Sequence, residues 1–117
     1  MKESLNYFII PGLNDVDPDN LTREKILQII AAEKNVKIEQ ILTRSRNSEL
    51  VESRFIYIKA LRCAYNLNLV SIGREMGKDH TTIIHALQQF DNRYQFEEEF
   101  KKIANRIFLK LGLKLNK

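Results

Sequence analysis

A chain of 117 residues, 44% hydrophobic and 29% charged, has material for one core and too little length for a second sizeable unit. Its 19 basic and 15 acidic residues leave a net charge of +4, which permits a nucleic-acid partner without demanding one. No apolar run approaches the ~20 residues of a membrane span, and the single cysteine, Cys63, has no disulfide partner and no neighbours at metal-ligand spacing.

Both prolines, Pro11 and Pro18, stand among Gly12, Asn14, Asp15, Asp17, Asp19 and Asn20. Residues 1–20 therefore read as an irregular N-terminal extension. Its YFII stretch suits either a short strand or a plug for an apolar face, and it is too short and poorly flanked for a signal peptide. From Leu21 to Gly112 the pattern is helical.

Thr22 is placed to cap a first helix whose stripe of Ile26, Leu27, Ile29, Ile30 and Ala31 runs out near Asn35. Val36, Ile38, Ile41 and Leu42 fit a short second helix. TRSRNS follows, polar and basic, so an exposed, flexible loop is expected. Ser48 is predicted to cap a long third helix bearing Leu50, Val51, Phe55, Ile58, Leu61, Cys63, Ala64 and Tyr65. LVSIGREM makes a fourth, Gly77 a turn, and a fifth helix starts at Asp79. A sixth spans about Glu97 to Leu111, with Phe100, Ile103, Ala104, Ile107, Phe108 and Leu111 inward. Strand signals are nearly absent, so the predicted fold class is all-α with about six helices.

Two of these helices stand out as a pair. Ile72 and Met76 anchor one, Ile83, Ile84 and Leu87 the next, and Gly77 suits the tight turn between them. That arrangement fits a helix-turn-helix, whose second helix lies in the DNA major groove with its N-terminal residues against base edges. Short hydrogen-bonding residues are what such a position needs, and Asp-His-Thr-Thr supplies them. Asp79 can cap the helix and offer its other oxygen to a cytosine amino group. His80 and Thr81 project outward, and the Thr81 methyl can pack on a thymine methyl. Thr82 and the free N–H groups of the first turn suit phosphate, and His85 lies one turn further on. Between Thr43 and Arg93 there are eight basic residues against five acidic ones. Arg54 and Arg62 lie about 80° apart around the third helix, leaving room for one shared face.

SIGREMGKDHTTIIHAL closely resembles the signature of the C-terminal DNA-binding domain of the bacterial replication initiator DnaA, with its core at Asp79, His80, Thr81, Thr82, Ile83, Ile84, His85 and Ala86. The resemblance runs from about Leu21 to Leu111. It implies a six-helix domain of the Trp-repressor type that binds double-stranded DNA. It further implies that Arg46, with Arg44 beside it in the basic loop, enters the minor groove, and that Arg54 and Arg62 contact the backbone. Asp79, His80 and Thr81 would read bases, with Thr82 and His85 in support. Three departures fall on this face: MGK is one residue shorter than the usual turn and puts Lys78 where the family has arginine. Val70 replaces a proline that contacts a thymine methyl, and Phe55 replaces a polar residue.

The 117 residues contain no Gly-x-x-x-x-Gly-Lys-(Ser/Thr) phosphate loop, so the ATPase part of an initiator is not expected among them. An enzyme is a poor fit, because His80 and His85 point about 140° apart and no activated nucleophile is identifiable. A helical protein-interaction module that titrates or regulates a replication factor is the competing expectation. The favoured one is a cytoplasmic monomer on duplex DNA, needing no cofactor, metal, membrane or small-molecule substrate.

Overall fold

The computed structural model describes residues 21–115, so the expected extension over residues 1–20 lies outside them. Six helices and no strand occur among the described residues: α1 (Arg23–Lys34), α2 (Ile38–Ile41), α3 (Ser48–Tyr65), α4 (Leu69–Met76), α5 (His80–Phe96) and α6 (Glu98–Leu111). Helix α3 is central, packing on α1, α2 and α5, while α5 also contacts α4 and α6, and α6 closes on α1.

Local chemistry sets the boundaries. Thr22 Oγ1 accepts from the Lys25 N–H and opens α1, and Asn35 ends it in the left-handed conformation at φ 58°. Asn68 Oδ1 accepts from the Ser71 N–H at 2.8 Å and opens α4. At the start of α3 the expected cap is displaced by one residue. Asn47 Oδ1 accepts from the Glu49 N–H at 2.9 Å, which leaves Ser48 as the first helical residue. Helix α2 is only one turn long, with Ile41 buried and Leu42 turned to solvent.

The core is aliphatic around Ile26, Ile30, Ile56, Leu61, Ile72 and Ile83, all fully buried. Toward α6 it becomes aromatic, where Phe90 meets Phe100 edge-on at 5.4 Å between ring centroids and Phe108 at 6.1 Å. One charged group is drawn inside. Lys34 is buried and donates to Glu52 at 2.7 Å, and Glu52 also accepts from Arg93 at 3.0 Å, so one carboxylate joins α1, α3 and α5. Burial alone would pull the Lys34 ammonium down, but hydrogen bonds to Glu49 and Glu52 outweigh it and hold the group above the ordinary lysine value.

Helix α3 departs most from its predicted face. Ser53, Ile56, Tyr57 and Ala60 join Leu50, Ile58 and Leu61 inside. Val51, Phe55, Ala64 and Tyr65 are half-buried, and Cys63 is exposed. A helix touched by three others buries an arc too wide for a single stripe to describe. Leu87 of α5, expected inside, is half-buried as well.

Candidate nucleic-acid interface

The turn between α4 and α5 is built by two glycines with different tasks. Gly77 takes φ 69°, and the Lys78 N–H donates back to the Gly73 carbonyl at 2.7 Å, closing α4 in a Schellman turn. Gly73 makes room: a Cβ there would lie 2.4 Å from the Lys78 carbonyl oxygen. The missing side chain is what lets the chain fold back so tightly that only three residues separate α4 from α5.

Asp79 is the N-cap of α5. Its Oδ1 accepts from the Thr82 N–H at 2.9 Å and from Thr82 Oγ1 at 3.0 Å, and those two bonds hold its carboxyl below the usual carboxylate range. Both donors of Thr82 are thereby engaged by Asp79, so its side chain braces the cap. Asp79 Oδ2 has no hydrogen-bond partner among the described residues. His80, Thr81 and His85 are exposed, whereas Ile83, Ala86 and Phe90 on the opposite side enter the core.

Helix α4 contributes two further groups. Val70 is 53% exposed. Arg74, one turn along the same face, is exposed and has no ion-pair partner among the described residues. Gly73 orients the face, since its Cα side meets the start of α5, while Glu75 on the far flank pairs with Arg23 of α1. Arg74 thus borders the turn that carries Lys78, itself exposed. It was not singled out from the sequence, although its spacing of four from Val70 was visible there.

Hydrogen bonds hold the basic loop between α2 and α3, where the sequence showed no apolar anchor. Thr43 Oγ1 donates to the Gln40 carbonyl at 2.7 Å, and the N–H groups of Ser45 and Asn47 donate to Thr43 Oγ1 and Ser45 Oγ. Arg44 and Arg46 remain exposed. Arg54 and Arg62 are each attached to backbone carbonyls. Arg54 donates to the carbonyls of Ile41 and Ser45, and Arg62 Nη1 to the carbonyl of Leu67 at 2.6 Å, at the other end of α3. Burial lowers the Arg54 guanidinium from its ordinary value. Phe55 lies half-buried with its ring 5.6 Å from the Arg93 guanidinium, so this departure serves the α3–α5 contact.

Charge is sorted across the molecule. Within the stretch from Thr43 to Arg93, Glu49 and Glu52 hold Lys34, Glu75 holds Arg23, Asp91 holds Lys59, and Asp79 caps α5. Arg44, Arg46, Arg74 and Lys78 have no ion pair among the described residues. Every carboxylate of the segment is engaged, and four exposed cations are left over.

A short α4, a glycine turn and a longer α5 with a polar first turn define a helix-turn-helix. The family model described as the bacterial dnaA protein helix-turn-helix matches residues 23–89. The chain belongs to that family. It is 34% identical over 87 residues to the chromosomal replication initiator protein DnaA of Caldanaerobacter subterraneus subsp. tengcongensis, covering 71% of this chain and 20% of that protein. To the DnaA of Spiroplasma citri it is 30% identical over 94 residues, covering 80% of this chain and 21% of the relative. A solved structure described as a DNA replication initiation factor superposes with a TM-score of 0.58 at 32% identity, covering 73% of this chain and 27% of that one. The chain thus spans about a fifth of the length of the curated relatives it matches.

Proposed function

We propose that the chain binds duplex DNA sequence-specifically, with the first turn of α5 in the major groove and the Arg44–Asn47 loop at the neighbouring minor groove. The observation that carries this reading is the sorting of charge just described. Arg74 and Lys78 border a polar helix start whose own carboxylate is tied down, and Arg44 and Arg46 add two cations without ion pairs among the described residues on the α2–α3 loop. His80 and Thr81 read base edges, Asp79 Oδ2 accepts from a cytosine amino group, and Val70 packs on a thymine methyl. Arg44, Arg62, Arg74 and Lys78 meet phosphate, with His85 one turn further along α5. The basic loop and the turn lie on one chain, so a monomer suffices. The relatives' name, chromosomal replication initiator, connects the proposed site with chromosome replication.

Selection of bound duplexes from a random pool, followed by salt titration on the winning site, tests the proposal. Affinity should fall with salt at a log–log slope of about −0.9 per phosphate neutralised. A chain that recovers no duplex at low salt is a protein-docking module instead.

Within that assay, His80→Ala and Thr81→Ala should each cost about 1–3 kcal/mol on the selected site and little on random DNA, since base contacts carry discrimination. Equal losses on both DNAs would remove the base-reading role.

Arg46→Ala should weaken binding most at sites with an A·T-rich flank, where the groove is narrow and its potential most negative. Arg44→Ala should act evenly, as the loss of one phosphate contact. Footprints of the two variants on A·T- and G·C-flanked duplexes separate the effects, and identical footprints would argue against minor-groove insertion.

A further inference from the structure

The segment from Thr43 to Asn47 has no apolar residue, yet its backbone is fastened from a distance. Arg54, on the second turn of α3, reaches back over it. Its Nε donates to the Ile41 carbonyl at 2.6 Å and its Nη2 to the Ser45 carbonyl, which belongs to the peptide bond leading into Arg46. Ile41 ends α2 and is fully buried, so one end of this clamp is fixed in the core. The loop's other hydrogen bonds run between residues two to four apart: Asn47 is fastened to the start of α3 as its cap, while those at Thr43 and Ser45 set local shape.

The geometry demands arginine. A planar guanidinium presents donors in a rigid fork that spans two carbonyls, whereas an ammonium acts from a single point. A side chain entering a groove also gains from a backbone already in place, because ordering a loose loop opposes binding. We infer that Arg54 is a positioning residue, which fixes the loop so that Arg46 is presented to the minor groove, and that it acts on DNA through Arg46 rather than through a phosphate of its own. This rests on the minor-groove reading of Arg46.

The test uses Arg54→Lys and Arg54→Gln, alone and combined with Arg46→Ala. In the free protein, amide exchange at Ser45 and Asn47 should quicken by about tenfold or more in Arg54→Lys, while the core amides of α5 keep their rates. On DNA, Arg54→Lys keeps its charge but should lose most of the preference for an A·T-rich over a G·C-rich flank. In the Arg46→Ala background the same change should alter affinity by less than about twofold, the sign of two residues acting as one. Unchanged loop exchange in Arg54→Lys overturns the inference. So does an Arg54→Gln that lowers the salt slope by about 0.9 equally in both backgrounds, the mark of a direct phosphate contact. Should the unmodified protein ignore flank composition, the minor-groove reading fails, and the exchange rates then judge the clamp by themselves.

Discussion

Truncating Ile83 to alanine should cost about 2–5 kcal/mol of folding free energy, read as a lowered midpoint in urea unfolding. Ile83 is fully buried, one turn from the exposed His80 and on the side of α5 that enters the core. The loss is a large share of the roughly 5–15 kcal/mol that holds a domain of this size together. Leu87→Ala, one turn further along but only half-buried, should cost clearly less. An Ile83→Ala protein that unfolds at the original midpoint would mean that α5 does not sit in the core as described.

Gly73→Ala should damage stability and recognition together. The added methyl would lie 2.4 Å from the Lys78 carbonyl oxygen and 3.3 Å from the Asp79 carbonyl carbon. Both are backbone atoms, so no side-chain rotation relieves the clash, and α4 and α5 must part. Overpacking of this kind costs about 1–3 kcal/mol or more. The atoms displaced are those that launch α5, so the discrimination proposed for His80 and Thr81 should fall with it. Gly77→Ala serves as the contrast: nothing lies within 4 Å of its Cβ position, and the penalty is the left-handed backbone alone, about 1–2 kcal/mol. Thermal melts and footprints on the selected site check both variants. A Gly73→Ala protein with an intact footprint would show that the turn has slack the geometry denies.

Helix count and order were legible in the sequence because the stop and start signals are local. Thr22, Asn68, Asp79, Gly77 and Gly112 act through atoms a few residues away, and each sits at a helix end. The inward face of α3 was not legible in the same way. Ser53 is buried because its hydroxyl donates to the Glu49 carbonyl at 2.7 Å, which hides a polar residue from any hydrophobic pattern. Exposed Cys63 shows the converse, an apolar residue type that lies outside the core. At the candidate site, the polar turn of α5 was readable from four consecutive side chains. The attachments of Arg54 were not, because Ile41 and Ser45 lie thirteen and nine residues back along the chain and only the fold brings them near.

The division of labour along α5 has a consequence for how such a domain changes its target over time. Residues 80, 81 and 85 stand in solvent and take no part in packing, while residues 83, 86 and 90 carry the helix in the core. Mutational drift at the first set meets almost no folding penalty, since surface substitutions away from caps and cores stay within about 0.5 kcal/mol. Asp79 and Thr82 stand between the two sets as a fixed frame. Under the proposed base-reading role of these positions, a lineage carrying this scaffold is free to exchange one DNA word for another by single steps, each passing through a folded protein.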